Sequence, residues 1–393
     1  MYHRIIEQIL PPTVSCFLFG PRQCGKTTIL KKLDSRLYIN LLNSKLLLKY
    51  TKDPSILYAE VEALTQKQGL IIIDEIQKVP GLLDEVQRCM DDFSELIFIL
   101  SGSSARKLRR GGANLLGGRA ANLSLFPLSM KELANEFILE RALKFGTLPK
   151  ICTLLADKSH SSVKLLLNSY VTTYLTEEVK AEALVRNLDY FQRFLEVAAH
   201  QFARETNMLE LADQAQISAS SANNYFGILE DTLLGFFLHP YATSVRKQLT
   251  KTPKFYFFDN GVTRAIKGMI SAEVTNQEEG LLYEQLLIQE FVRINSYYHK
   301  NWKLNFWKTI GGAEVDLIVS FGNKPILAVE FKASPYPRTR DLSGLLSFRE
   351  EYPSVPIYLC APVDQARLIG ETVKVLPPKD LIELAINLVP DEG

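Results

Sequence analysis

Cysteine is sparse in this chain of 393 residues: the five thiols, Cys16, Cys24, Cys89, Cys152 and Cys360, are odd in number and scattered, without the spacing of metal ligands. The pattern argues against a disulfide framework and a cysteine-based metal centre. It suits a reducing, cytoplasmic compartment in which thiols act as small buried apolar groups. Cys24 is set apart, because it falls in a glycine-bounded loop where oxidation is expected to be open to it. Charge of one sign is lacking too: 45 basic against 44 acidic residues leave a formal net charge of +1. A global field that would gather nucleic acid is thereby excluded, and a DNA partner has to rest on local patches. No apolar run approaches the ~20 residues of a membrane span, and no long apolar segment precedes the first motif, so no membrane partner is expected.

Apolar side chains are abundant, at 47% of the sequence, and the length exceeds what one core organises, so two or three domains are expected. Residues 1–12 read as a short amphipathic helix stopped by Pro11 and Pro12. The apolar run Val14–Phe19 then leads into Gly20-Pro21-Arg22-Gln23-Cys24-Gly25-Lys26-Thr27, followed by Thr28. This fits G-x-x-x-x-G-K-[ST], the Walker A phosphate loop, between a buried strand and a helix start. The glycines let the backbone curl so that N–H groups converge on phosphate oxygens, and the helix beginning near Lys26 turns its positive end to the same anion. ATP is the expected cofactor of residues 20–28, with Lys26 on the β- and γ-phosphates and Thr27 on Mg²⁺.

A second strand is expected at Leu37–Leu42, one or two helices between Leu46 and Lys67, and a strand buried on both faces at Leu70–Asp74. Asp74 and Glu75 at its end form a Walker B pair, Asp74 for Mg²⁺ and Glu75 to polarise the attacking water. A further strand, Leu96–Leu100, ends in Ser101, which either orients the water or γ-phosphate or is simply a turn serine. The stretch Arg106, Lys107, Arg109, Arg110 and Arg119 contains no acid. It reads either as a solvated loop or as the source of an arginine finger, with Arg119 the choice, acting in cis or on a neighbouring copy of the chain. A fifth strand is expected at Ala121–Leu125.

Helical spacing dominates residues 165–235, with Glu177, Glu178, Lys180 and Glu182 on a solvated face. Helices at Met208–Ala215 and Ser220–Leu234, the latter capped by Ser218 or Ser220, precede two strands, Gly235–Leu238 and Lys254–Asp259, around the basic stretch Arg246–Lys251. This is the order of a winged helix, in which the second helix enters a major groove and the wing meets phosphates. The exposed front of that helix offers Ser220, Ser221, Asn223 and Asn224, which supply little phosphate neutralisation.

Towards the C-terminus, an amphipathic helix at Gly280–Val292 precedes strands at Leu304–Lys308, Gly311–Val319 and Pro325–Lys332, a helix around Leu342–Arg349 and a strand at Val355–Cys360. Asp316 on one strand, with Glu330 and Lys332 two apart on the next, resembles the PD-(D/E)xK nuclease superfamily, and the strand period puts Glu330 and Lys332 on one face. That resemblance implies Mg²⁺ on Asp316 and Glu330, Lys332 acting on the water, and Glu284 completing the metal set.

The segments GPRQCGKTT, IIIDEIQKVP, LSGSS, LGGRA and LFPLS, in this order, resemble the prokaryotic AAA+-type ATPases whose C-terminal region is a domain of unknown function, and the resemblance covers nearly the whole chain. It implies an α/β fold: a P-loop NTPase parallel sheet (1–130), a helical lid and linker (131–165), a helical and winged-helix region (166–270) and a restriction-endonuclease-like domain (271–393). In relatives the lid contains a Gly-Gly-aromatic-Pro turn, for which Phe145-Gly146-Thr147-Leu148-Pro149 stands here. The function so implied is an ATP-hydrolysing protein that couples nucleotide state to a nucleic-acid-directed module. The alternative is a nucleotide-switched oligomeric scaffold whose nuclease-like domain does not cut. Lys26→Ala is expected to abolish binding of a fluorescent ATP analogue; unchanged affinity would remove the loop from its role.

Overall fold

The computed structural model describes residues 2–103, 116–175, 188–242, 252–370 and 372–388. The basic run Arg106–Arg110, the acids Glu177, Glu178 and Glu182 with Lys180, and the basic stretch Arg246–Lys251 lie outside the described residues. At the N-terminus the expected helix is a single 3-10 turn, Ile5–Ile9, because the following prolines draw Leu10 into extended backbone.

The first layer consists of β1 (Cys16–Phe19), α1 (Lys26–Leu30), β2 (Leu37–Asn40), α2 (Ser44–Lys52), α3 (Ile56–Glu62), β3 (Gly69–Asp74), α4 (Leu82–Asp92), β4 (Leu96–Gly102) and β5 (Ala121–Ser124). Its five strands are all parallel, in the order β2-β3-β4-β1-β5. The order matters for the site: β4 stands between the strand that feeds the loop and the strand that ends in Asp74. Alternation within each strand divides the core. Phe17, Phe19, Ile71, Ile73, Phe98 and Leu100 face the side covered by α3 and α4, whereas Cys16, Leu18, Leu70, Ile72 and Ile99 face the other.

Helices α5 (Met130–Leu133), α6 (Leu139–Phe145), α7 (Pro149–Ala156) and α8 (His160–Ser169) follow, then a π-helical turn at Tyr170–Leu175. Next come α9 (Leu188–His200), α10 (Met208–Gln214) and α11 (Ala219–Asp231), whose N-cap is Ser218. The strands that follow depart from the expected wing. β6 (Gly235–Pro240) pairs antiparallel with β7 (Lys254–Phe257) on one side and parallel with β8 (Trp302–Lys308) on the other. The rest of the chain is α12 (Asn260–Ile266), α13 (Asn276–Tyr297), β9 (Glu314–Phe321), β10 (Lys324–Phe331), α14 (Ser343–Glu351), β11 (Ile357–Cys360), β12 (Arg367–Ile369), β13 (Val373–Leu376) and α15 (Pro378–Asn387). Its sheet runs β12-β13-β11-β10-β9-β8-β6-β7, so the hairpin is the edge of an eight-stranded sheet. Free edge N–H and C=O groups on β8 account for this, since a neighbouring strand satisfies them.

That sheet is buried on both faces. Val315, Ile318, Ala328 and Leu359 pack under Leu345 and Phe348 of α14, and Leu317, Val319, Leu327 and Val329 pack under α13. The α13 side belongs to one apolar cluster that continues without a break to Leu18 and Ile72 of the first sheet. Residues far apart in sequence therefore meet through α13.

One junction between these parts is tight. The Asp259 carboxylate accepts from the N–H groups of Thr147 (2.7 Å) and Val262 (3.0 Å), capping α12 and holding it on the end of α6. A Cβ on Gly261 would stand 2.0 Å from the Phe145 carbonyl oxygen. Gly261→Ala is expected to lower stability by about 1–3 kcal/mol through overpacking, read from urea unfolding. An unchanged midpoint would mean that the two helices separate freely at this point.

Candidate functional site

The strand-to-helix turn after β1 is built from backbone constraints. Gly25 lies at φ +100°, which only glycine adopts easily, and Gln23 at +64°. The loop is held from outside as well: Arg4 Nη1 donates to the Cys24 carbonyl at 2.6 Å, and the Tyr170 hydroxyl donates to the Arg22 carbonyl at 3.2 Å. Lys26 is buried, with Nζ 2.5 Å from the Gly20 carbonyl oxygen and 3.0 Å from that of Pro21. The expected oxidation of Cys24 is corrected: its side chain is fully buried, and burial pushes the thiol up to about 12, so the reactive thiolate is suppressed.

Asp74 ends β3 beneath this loop, opposite Ser101 of β4 in register, and is wholly buried. Three hydroxyls converge on it. Thr27 Oγ1 donates to Oδ2 at 2.8 Å, Tyr38 donates to the same oxygen at 3.1 Å, and Ser101 donates to Oδ1. Burial, reinforced by the Asp74 charge, raises the Tyr38 phenol above its ordinary value and keeps it a donor. An acid and a hydroxyl in direct contact at a strand end, below a phosphate-type loop, make a donor set that fits Mg²⁺. Glu75 follows at φ +64°, and its Oε2 accepts from Gln77 Nε2 at 2.6 Å. Gln77 in turn reaches Ser103 Oγ at 3.3 Å. Above these groups opens a cavity of about 1200 Å³ bordered by Tyr2, Thr27, Thr28, Glu75 and Pro149. Arg4, Arg22, Lys26, Lys32, Lys78 and Lys150 also line it, so cations outnumber the single acid Glu75, as a polyphosphate requires.

Arg119 is not part of this cavity. It precedes β5 at the end of the sheet where the strands start, whereas the loop follows β1 at the end where they finish. With a rise of about 3.3 Å per residue, the two ends lie on the order of 10 Å apart. The Arg119 guanidinium instead pairs with Asp91 in the last turn of α4. The expectation that Arg119 reaches the γ-phosphate in cis is thus corrected by the parallel topology.

Arg4 gave no motif signal, yet its guanidinium joins several separate parts of the chain. Besides Cys24, its guanidinium donates to Glu132 Oε1 (2.9 Å), the Phe126 carbonyl (2.6 Å) and the Tyr297 hydroxyl (3.5 Å). Tyr297 accepts from the Phe126 N–H at 3.1 Å and ends α13. One turn earlier, Arg293 donates to the Leu128 carbonyl (3.1 Å) and pairs with Glu290, which accepts from the Met130 N–H at 3.2 Å. The last turns of α13 are therefore wired to the segment after β5 and, through Arg4, to the loop.

Near the middle of α13 stands Glu284, and there the structure assembles a second charged cluster. Glu284, Asp316 and Glu330 come together from α13, β9 and β10, with Lys332 directly after β10. Asp316 Oδ2 accepts from the Phe331 N–H at 2.8 Å, and Lys332 Nζ pairs with Glu330 Oε1 at 2.7 Å. Three members went unseen in the sequence, Glu314 on β9 and Lys254 and Tyr256 on β7. Lys254 Nζ lies 3.0 Å from Glu284 Oε1 and 2.6 Å from Glu314 Oε1, and the Tyr256 hydroxyl donates to Glu284 Oε1 at 2.5 Å. For Lys254 and Tyr256 the spacing of two on β7 was the available signal, since it puts both on one face of that strand. Burial first, then the charges of Glu330 and Glu284, hold the Asp316 carboxyl well above the usual range. Burial works against the Lys254 ammonium, but Tyr256, Glu284, Asp316 and Glu314 outweigh it and raise its pKa well above the ordinary lysine value. As arranged, Glu284, Asp316 and Glu330 do not fit a divalent ion, because the cation on Glu284 is the chain's own lysine. Among the described residues, no group of three or more metal-ligating side chains is disposed to hold a metal.

Comparison with known proteins agrees with the first layer. A family model described as an AAA domain matches residues 14–134, and two models described as domains of unknown function, DUF8612 and DUF4143, match residues 136–273 and 279–381. The chain is similar to an uncharacterized protein of Mycobacterium tuberculosis, with 24% identity over 78% of this chain and 68% of the relative. It is also similar to an uncharacterized protein of Methanocaldococcus jannaschii, with 24% identity over 87% and 80%. Among solved structures, the Walker-type ATPase of Pyrococcus abyssi superposes with a TM-score of 0.45 at 14% identity, covering 67% of this chain and 94% of that one. The N-terminal unit is an AAA-type P-loop domain, and no helix of the described residues is long and apolar enough to cross a membrane.

Tyr297 does not line the cavity, yet it contacts Arg4, which does. Tyr297→Phe leaves the part-buried Phe126 N–H without its acceptor, at an expected cost of about 1 kcal/mol in stability. It is also expected to weaken ATP-analogue binding in a calorimetric titration; unchanged affinity would show that the wiring of α13 does not reach the loop.

Proposed function

We propose that the protein is a Mg²⁺-dependent ATPase whose nucleotide state is relayed to its C-terminal unit, and that this unit binds nucleic acid. The carrying observation is the single helix α13, with Tyr297 on Arg4 beside the phosphate loop and Glu284 in the second charged cluster. Thirteen helical residues span about 20 Å, so a displacement at one end is delivered as a rigid motion at the other.

In this reading Lys26 leaves the Gly20 and Pro21 carbonyls for the β- and γ-phosphates, an exchange its three donors allow. Thr27 and Asp74 hold Mg²⁺, which neutralises charge on the phosphates. Glu75, oriented by Gln77, takes the proton of the attacking water, and Ser101 holds the Asp74 carboxylate in place. Arg119 contributes, if subunits associate, across the boundary to a neighbouring copy, because its own loop is at the far end of the sheet.

A second reading is a nucleotide-switched scaffold whose nuclease-like unit does not cut, and the lysine seated among the C-terminal carboxylates favours it. The two readings part on DNA binding, so one variant tests both. Glu75→Gln is expected to bind ATP and to lose turnover by roughly 10²–10⁴-fold. Held with ATP, it is expected to shift duplex DNA in a salt-dependent manner that differs from the ADP form. Turnover equal to that of the unmodified chain would remove Glu75 from its role, and the absence of any DNA shift in either nucleotide state would leave the scaffold.

A further inference from the structure

The carboxylates of the C-terminal cluster already have a cation. Lys254 is 5% exposed, and three elements close around its ammonium: β7 supplies the lysine, α13 supplies Glu284 and β9 supplies Glu314. An ammonium has three protons to place. Two go to carboxylates at 3.0 and 2.6 Å, and the face of Phe306, 5.3 Å away, covers the remaining side. Glu284 Oε1 takes a second donor in Tyr256 and is thereby saturated. Lys332, the residue expected to act on a water, is paired with Glu330 Oε1.

We propose that Lys254 is the resident cation of this site, its ammonium taking the place of a divalent ion among Glu284, Glu314 and Asp316, so that the carboxylates are held together without metal and the unit does not cleave nucleic acid. A divalent ion on Glu284 Oε1 or Glu314 Oε1 would have to displace the donors that Lys254 and Tyr256 place there, binding at about 2.0–2.6 Å rather than hydrogen-bond distance. Its entry would leave the ammonium buried without a partner, which is far costlier than the exchange of a metal for water. Glu330 Oε2 is a buried carboxylate oxygen without a donor, and a single such oxygen falls well short of the six or more that Mg²⁺ or Ca²⁺ takes up. The cluster is then a structural clasp between β7, α13, β9 and β10. It makes a lysine on the hairpin strand the partner of the helix that reaches the phosphate loop.

The test uses the full chain without nucleotide, in a Thr27→Ala background that removes the loop's own metal ligand, with Mn²⁺ as probe and free Mn²⁺ read by electron paramagnetic resonance. Without nucleotide, the result does not depend on whether ATP is hydrolysed. The unmodified cluster is expected to titrate identically with and without Glu330→Gln. Lys254→Gln, which keeps a hydrogen-bond donor for Glu284, is expected to gain one site at least tenfold tighter than any in the parent, lost again when Glu330→Gln is added. A Mn²⁺ site in the parent that Glu330→Gln abolishes would overturn the proposal, as would a folded Lys254→Gln that gains none. Should Lys254→Gln fail to fold, the comparison of the parent with Glu330→Gln decides alone.

Discussion

A guanidinium taken out of water must find acceptors for its donors, and Arg4 meets that demand only where four separate parts of the chain come together. The phosphate loop offers the Cys24 carbonyl, the segment after β5 offers Phe126, α5 offers Glu132, and α13 offers Tyr297. Remove any one and a buried charge is left partly unmatched, so the loop, the segment after β5 and the C-terminal helix must hold station together. The N-terminal turn is thus a pin through the molecule, although its sequence is too short to form a stable helix of its own.

The nucleotide cavity follows from the same arrangement together with the sheet. Parallel strands bring the end of β1, the Asp74 end of β3 and the Ser101 end of β4 to one edge. An acid there is buried, and three hydroxyls from separate elements keep it satisfied. The cavity above carries an excess of cationic side chains in a protein whose net charge is +1, so the field that attracts a polyphosphate is local. Arg119 marks the limit of this edge, since parallel topology sends the start of β5 to the far side.

The C-terminal cluster shows the opposite outcome of gathering charge. Here three of the acids are paired with the chain's own lysines, Lys254 on Glu284 and Glu314 and Lys332 on Glu330. Glu284 and Tyr297 share one helix, so a cluster near its middle and a nucleotide loop at its C-terminal end are joined by continuous helix of about 20 Å. Buried ion pairs of this kind hold register between elements more surely than they add stability.

Features that depend on neighbours in the sequence were legible from it. The loop at 20–27, the Asp74–Glu75 strand end, the alternation of Glu330 and Lys332, and the main strands and helices are short-range patterns, set by backbone geometry and side-chain period. What tertiary structure alone decided was which distant groups meet. Tyr38 and Ser101 arrive at Asp74 through strand order, Arg4 arrives at Cys24 through burial, and the hairpin β6–β7 joins the larger sheet because β8 has an open edge. Lys254 is the sharpest case: its own sequence surroundings read as a strand beside a basic stretch, and only the packing of β7 against α13 and β9 turns it into the counter-ion of acids 30 and 60 residues away. Local pattern carries local conformation, whereas the pairing of buried charges depends on the path of the whole chain.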